Sequence, residues 1–380
     1  MREIVRVAGM NADGQAAHRR GRYVDGLRRE RAIRDDALAA AFGAVPREVF
    51  VADGFRTMDG RWLTAADPDF LVEVYRNDAL VTKVDDGVPV SSSSQPSLMA
   101  IMIDALVVRP GMRVLEIGAG TGYNAALLAA LGAQVTSVDV QPDVVERARR
   151  ALACAGVTGV TVVLADGYAG FPSGAPYDRI IVTVGVTGAS PAWFDQLGPE
   201  GYGLAPVFHA GGHPILRLHR EPGGPPRGRG VCGAGFMTAA GPLGARYPWA
   251  HPEPLRSGAL PAPTLRRPGR WYPPLELRRY HDLSVAAGAW NSRVTHGGIL
   301  GEEDVDWVLL DETGAGGAGI ARNGAILAVG STAGRYADQA AAVLDRWEWS
   351  GAPEVADWNV DLALAGDPAR PVWAPRRWHV

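Results

Sequence analysis

Lysine is almost missing from this chain: of 38 basic residues only Lys83 is a lysine, and the rest are arginine. Codon usage in a GC-rich genome is the simpler explanation of that bias. Cysteine is nearly as rare. Cys154 and Cys232 cannot build a disulfide framework, so a reducing cytoplasm is the expected setting. A basic excess is absent too. With 38 basic against 41 acidic side chains the formal net charge is -3, so neither nucleic acid nor an anionic membrane is an expected partner. No apolar run approaches the ~20 residues that span a bilayer. The stretch Met1–Met10 has neither the apolar run nor the cleavage site of a secretory signal. What the chain does have is length and apolar content. Its 380 residues, 47% of them hydrophobic, suffice for two or three units with cores of their own.

Residues 22–50 read as helical, with Leu27, Ile33, Leu38 and Phe42 on one face and a second short helix ending near Val45-Pro46-Arg47. Residues 52–95, rich in Asp, Gly and Ser, read as an irregular collar or lid. From about 97 an alternation begins. The pattern predicts an apolar helix over Ser97–Leu106, capped by its serine, then strand Arg113–Ile117 and helix Tyr123–Leu131. Strand Gln134–Asp139, helix Pro142–Ala155 and strands Val160–Leu164 and Arg179–Val184 follow. A short helix at Pro191–Leu197 precedes a strand at Tyr202–Phe208. Strands separated by helices imply right-handed crossovers, and so an α/β, mostly parallel, doubly wound sheet. The glycine- and proline-rich segment Glu221–Gly230 reads as a linker or exposed loop, and 241–279 as a Pro- and Arg-rich stretch. Beyond it, Trp307–Leu310 and Ala325–Val329 read as strands and Tyr336–Trp347 as a helix of a separate α+β unit.

The sharpest local feature is Glu116-Ile117-Gly118-Ala119-Gly120-Thr121-Gly122, at a strand end and opening a helix. Glycines there allow a tight turn and close approach of a ligand. The nicotinamide fingerprint is Gly-x-Gly-x-x-Gly and seats a pyrophosphate on the helix N-terminus. Here the spacing is Gly-x-Gly-x-Gly, and Glu116 stands just before the first glycine, which suits a cationic ligand better than an anion. S-adenosylmethionine, with its sulfonium and ammonium, is such a ligand. Asp139 ends the next strand, where a carboxylate can accept from both ribose hydroxyls. Asp166 follows the third strand, placed to accept from the adenine amino group, with Gly167 giving the ring room. Solvated loop acids and turn glycines are the plain alternative for each residue singly.

These residues resemble the protein-L-isoaspartate O-methyltransferase family, which has a class I S-adenosylmethionine-dependent methyltransferase fold. The resemblance covers about residues 22–210. It includes Val45-Pro46-Arg47-Glu48-Val49-Phe50-Val51, the run from Leu115 with Tyr123-Asn124-Ala125-Ala126, and Pro176-Tyr177-Asp178-Arg179-Ile180-Ile181. It implies a cofactor set of Glu116, Gly118, Ala119, Gly120, Gly122, Asn124, Asp139, Val140, Asp166 and Gly167, with S-adenosylhomocysteine as product. The family's Thr-Ile-Ser-x-Pro-x-Met loop corresponds to Ser92-Ser93-Ser94-Gln95-Pro96-Ser97-Leu98. Ser94 matches the family serine, and Ser97 stands where histidine is common. Ser93 and Ser94 are the expected catalytic hydroxyls, orienting an acceptor carboxylate that is already ionised at neutral pH.

The serine segment and the long C-terminal extension resemble the branch that acts on ribosomally made peptides (graspetides, lanthipeptides and lasso peptides). That resemblance implies methylation of an aspartate side chain in a macrocyclised peptide, the ester closing to an aspartimide. Repair of isoaspartyl residues in damaged proteins is the rival, and a non-catalytic peptide-binding protein on the same fold is a third possibility. The expected organisation is an N-terminal helical and lid region over 1–90, a cofactor-binding core over 91–215 and a substrate-recognition extension over 216–380, with a peptide partner and a monomeric state. The eight histidines suggest no metal site, since Gly211-Gly212 between His209 and His213 breaks any helix face. Cys154 is expected to pack inside its helix face. Trp307, Trp347, Trp349, Trp358, Trp373 and Trp378 read as a small core, or else as a peptide groove helped by Arg376 and Arg377.

Overall fold

The computed structural model describes residues 2–221, 223–247 and 258–380, with side chains from Gly14 onward. Pro222 of the expected linker and residues 248–257 of the Pro- and Arg-rich stretch lie outside the described residues. The chain forms two compact units. One comprises residues 1–183 with 195–204, the other 184–194 with 205–380.

The first unit opens with helices α1 (Arg2–Arg29) and α2 (Asp36–Ala44). The second short helix expected to end near Val45 is α2, with Val45 as its C-cap. Arg31 takes a φ of 60°, and Asp35 caps α2 by accepting the Leu38 N–H at 2.9 Å. Leu27, Ile33, Leu38 and Phe42 are all buried, as their spacing predicts. A 3-10 turn, Arg47–Val51, follows.

The expected irregular collar is instead a small antiparallel sheet. Strands β1 (Phe55–Arg56), β2 (Trp62–Leu63), β3 (Leu80–Asp85) and β4 (Val88–Ser93) lie in the order β2-β1-β3-β4, with α3 (Phe70–Val74) between β2 and β3. Its apolar cluster joins Val51, Phe55, Leu63, Phe70, Val74 and Leu80, positions without a single period.

Helix α4 (Pro96–Leu106) starts one residue earlier than expected. Pro96 fills its first position and Gln95, not Ser97, is the N-cap. The core sheet follows: β5 (Arg113–Ile117), α5 (Tyr123–Ala130), β6 (Gln134–Asp139), α6 (Pro142–Cys154), β7 (Val160–Leu164), β8 (Tyr177–Val182), α7 (Pro191–Gln196) and β9 (Leu197–Pro206). The strands pair in parallel in the order β9-β8-β5-β6-β7, the doubly wound arrangement the alternation predicts. The strand order reverses beside β5, so the crevice at its carboxyl end is where such sheets take ligands.

Helix α6 shows how the layers hold. Val144, Val145, Ala148 and Leu152 form its buried stripe, each large aliphatic one contributing roughly 1.5–3 kcal/mol by leaving water. That stripe leaves Cys154 exposed at the helix end, against the expectation of a packed cysteine.

The second unit has β10 (Ile215–Arg220) and β11 (Pro226–Cys232), then β12 (Leu265–Arg267), α8 (Leu277–Trp290) and β13 (Val294–His296). Next come β14 (Trp307–Leu310), β15 (Gly317–Ile320), β16 (Ile326–Val329), α9 (Ala333–Trp349), β17 (Asn359–Ala365) and β18 (Val372–His379). Strands β10-β11-β17-β18 pair antiparallel in that order, and β12-β16-β15-β14-β13 form a second antiparallel sheet. Strand β11 takes up the second half of the expected linker, from Pro226 on. Its glycines serve close packing: a Cβ on Gly230 would lie 1.8 Å from the Val355 carbonyl oxygen.

Three of the six tryptophans, Trp307, Trp347 and Trp358, belong to the buried core of this unit, while Trp349 is 89% exposed. Arg377 pairs with Asp361 across β17 and β18. His209 and His213 are buried on either side of a tight turn closed by the His209 and Gly212 backbones. Burial pushes both imidazoles down to about 4, and the His209 Nε2 lies 2.9 Å from the Val285 carbonyl oxygen. Among the described residues no helix is long and apolar enough to cross a membrane.

Candidate functional site

Because β5, β6 and β7 are parallel neighbours, their carboxyl ends meet at one edge of the sheet. The residues singled out after each strand are therefore brought together: the glycine loop after β5, Asp139 and Val140 at the end of β6, and Asp166 and Gly167 beyond β7. The loop is held by backbone bonds. The N–H groups of Gly118 and Ala119 both donate to the Val138 carbonyl, at 2.8 and 3.1 Å. Gly120 and Gly122 take φ values of 52° and 85°, which side-chain-bearing residues rarely adopt. A Cβ on Gly122 would press on Ala148 of α6 at 3.3 Å, and one on Gly120 would approach the Ser92 carbonyl oxygen at the same distance. The loop thus lies against the serine strand β4.

Asp139 receives two N–H groups, Gly120 on Oδ2 and Gln141 on Oδ1, both at 3.1 Å. Burial raises its carboxyl above the ordinary range, and those two bonds oppose the shift. Val140 beside it is 49% exposed. Asp166 is exposed and accepts the Tyr168 N–H at 2.9 Å. A half-buried acid for a diol, an exposed aliphatic face for a flat ring and an exposed acid for an amino group form a donor set that fits S-adenosylmethionine.

One expectation changes. Glu116 is fully buried and does not meet a ligand as a solvated charge. Asn124 donates to its Oε1 at 2.7 Å and the Ser137 hydroxyl to its Oε2, so Glu116 and Asn124 brace strand, loop and helix from beneath. Burial pushes the Glu116 carboxyl up to about 7, against those two bonds, which weakens the argument from its charge. Gly167 also has a packing reason to be glycine. A Cβ there would lie 2.5 Å from Ile117 Cγ2, so glycine is required by the packing of the core strand.

The serines also divide. Ser91, Ser92 and Ser93 lie within β4. Ser93 is buried, its hydroxyl accepting from Arg47 Nε at 3.4 Å. Ser94 is half-buried, and its hydroxyl has no hydrogen-bond partner among the described residues, while its carbonyl accepts from Arg47 Nη2 at 3.1 Å.

Arg47 is the residue that sequence reasoning missed. It is fully buried, with no carboxylate partner among the described residues. Its other bonds go to the carbonyls of Val74, Arg76 and Asp78 at 2.8–3.2 Å. A rigid five-donor fork suits such a hub, where a lysine ammonium would leave carbonyls unpaired. The available signal was an arginine, beside Glu48, inside the otherwise apolar stretch from Val45 to Val51. Thr183 was missed as well: its hydroxyl reaches the Gly118 carbonyl at 2.5 Å and the Ile117 carbonyl at 3.1 Å.

A cavity of about 150 Å³ borders Gly120 and Thr121 between the 3-10 turn and α6. It is smaller than the ~300 Å³ at which ordinary ligand pockets begin. No group of three or more His, Cys, Asp or Glu residues able to hold a metal occurs among the described residues.

A family model for protein-L-isoaspartate(D-aspartate) O-methyltransferase matches residues 18–225. A protein-L-isoaspartate O-methyltransferase of Methylorubrum extorquens is 39% identical over 54% of this chain and 81% of its own length. One from Methanoculleus marisnigri is 38% identical over 51% of this chain and 80% of its own length. A solved protein-L-isoaspartate O-methyltransferase superposes with a TM-score of 0.52 at 26% identity, covering 95% of this chain and 98% of its own.

Proposed function

The chain belongs to the protein-L-isoaspartate O-methyltransferase family and is an S-adenosylmethionine-dependent carboxyl O-methyltransferase of the class I fold; on that premise we propose that its acceptor is the free carboxylate of an isoaspartyl residue in a protein or peptide. The observation that carries this reading is the match of a solved protein-L-isoaspartate O-methyltransferase to nearly the whole chain, C-terminal unit included. The extension is therefore no argument for a separate peptide-modifying branch.

The cofactor, when bound, supplies a methyl group on a sulfonium. In this reading Asp139 accepts from the ribose hydroxyls, Val140 covers the adenine face, Asp166 accepts from the adenine amino group, and the glycine loop lets the backbone come close. Glu116 and Asn124 keep the loop in shape. The acceptor carboxylate is ionised at neutral pH, so no general base is needed. What is needed is alignment and exclusion of water. Ser94 has a hydroxyl proton to donate to one carboxylate oxygen, leaving the other to attack. Ser93 and Arg47 fix the strand that presents it. The C-terminal unit is assigned to acceptor recognition. After transfer, a neighbouring backbone amide nitrogen attacks the ester carbonyl, methanol leaves and a succinimide remains.

A second reading keeps the chemistry and changes the acceptor to an aspartate side chain in a macrocyclised ribosomal peptide, giving an aspartimide. The run Ser91–Ser94 and Ser97 in the histidine position favour it. Matched linear peptides, one isoaspartyl and one aspartyl, incubated with methyl-labelled cofactor test the first reading. It expects base-labile label in the isoaspartyl peptide only. Label in neither peptide, from enzyme that binds S-adenosylhomocysteine, overturns it.

A further inference from the structure

Gln141 follows Asp139 and Val140, and its backbone N–H and both ends of its side-chain amide are engaged. The backbone N–H donates to Asp139 Oδ1 at 3.1 Å. Its Nε2 donates to the Val90 carbonyl at 3.1 Å, and its Oε1 accepts from Lys83 Nζ at 2.9 Å. Lys83 reaches on to Asp143 Oδ1 at 2.7 Å. Arg147 closes the set, with Nη2 on Asp143 Oδ2 at 2.6 Å and Nη1 on the Thr82 carbonyl at 3.3 Å. The hairpin β3–β4 is thus fastened at Thr82, Lys83 and Val90 to the segment that carries Asp139. Strand β4 runs directly from Val90 into the serines, and Gly120 lies against Ser92 on the other side of Asp139.

Stability does not account for this arrangement. The Lys83 and Asp143 side chains are 27% and 51% exposed, and ion pairs so placed contribute ~1 kcal/mol or less. The Gln141 amide is different. It is directional at both ends, and its side chain joins two elements whose spacing decides whether an acceptor on β4 faces a ligand on Asp139. An offset of ~1 Å in such alignment is costly in rate.

We propose that Gln141 and Lys83 are positioning residues for methyl transfer: they hold the serine strand in register with Asp139, so that a ligand on Asp139 keeps the clasp closed and the acceptor strand ordered. This rests on the assignment of Asp139 to the cofactor. By reciprocity, a ligand that binds only the closed clasp must suppress its opening.

Lys83 reports on the clasp directly, because it is the only lysine in the chain. The experiment measures how fast an amine-reactive acetyl ester modifies Lys83 in the full-length protein, with and without S-adenosylhomocysteine, by peptide mass spectrometry. At a ligand concentration ten times Kd, the closed-only model expects labelling to slow roughly tenfold. Gln141→Ala should bind S-adenosylhomocysteine yet label faster and lose most of that protection, and its kcat/KM for an isoaspartyl peptide should fall. Ligand that binds wild-type protein without slowing the labelling of Lys83 overturns the clasp and leaves the proposed function standing. Gln141→Ala with full protection overturns it as well. Failure of the wild-type protein to bind S-adenosylhomocysteine instead removes Asp139 from the cofactor and the proposed function with it. Should Gln141→Ala fail to fold, the wild-type comparison alone decides.

Discussion

Arg47 donates through Nη2 to the carbonyl oxygen of Ser94 at 3.1 Å, joining a buried cation in the 3-10 turn to the residue that follows the serine strand. The same guanidinium serves Val74, Arg76, Asp78 and Ser93, so three separate segments share one hub. Arg47→Ala leaves four carbonyls without a donor, and at 1–3 kcal/mol for each buried unpaired group the loss should be ~4 kcal/mol or more. Arg47→Lys, with three donors, should lose about half of that. Urea denaturation of both variants checks this, and an alanine variant as stable as the wild type would remove Arg47 as a hub.

Asp139→Ala removes the half-buried acceptor at the end of β6. On the proposed assignment the cofactor hydroxyls then lack their partner, and affinity for S-adenosylhomocysteine should drop by ~1–3 kcal/mol. Calorimetry measures it directly, and unchanged affinity would take Asp139 out of the site.

The two serines should separate. Ser94→Ala should lower kcat on an isoaspartyl peptide by about tenfold, the equivalent of one hydrogen bond made to the reacting carboxylate, with cofactor affinity unchanged. Ser93→Ala leaves the Arg47 Nε without its acceptor and should cost ~1 kcal/mol of stability. Equal loss of turnover and cofactor affinity in Ser94→Ala would reassign that residue to binding or folding.

Glu116 predicts a pH dependence with a definite sign. Its carboxyl stands at about 7 in the fold against an ordinary 4.5, because it is buried. Between those values the unfolded chain has released a proton that the fold keeps, so this group lowers stability as pH rises, and the effect levels off above about 7. The full span is on the order of 3 kcal/mol. Glu116→Gln keeps the shape without the titration, so its stability relative to wild type should grow from about pH 5 to about pH 8. The buried His209 and His213 titrate in both proteins and cancel in the difference. A stability difference independent of pH would show that Glu116 does not titrate there.

The parallel sheet is legible in the sequence because its signals are local. Short apolar strands, Pro142 at a helix start and the positive-φ glycines after Ile117 each announce themselves within a few residues. What escapes is assembled at long range. Arg47 is explained only by carbonyls at residues 74, 76, 78 and 94, and Gln141 only by Lys83 and Val90. Strand β11 reads as a linker because its glycines are justified by Leu216, Val355 and Val360, which lie elsewhere in the chain. The enclosure of Glu116 by Asn124 and Ser137 is likewise not legible in the sequence.

The choice of acceptor carboxylate is decided most directly by competition in one vessel. A linear isoaspartyl peptide and a macrocyclic aspartyl peptide are mixed with enzyme and S-adenosylmethionine and followed by mass spectrometry. The isoaspartyl peptide should gain a methyl group first and then lose methanol to give a succinimide, while the macrocycle stays unmodified. Methylation of the macrocycle with the isoaspartyl peptide untouched would contradict the isoaspartyl assignment.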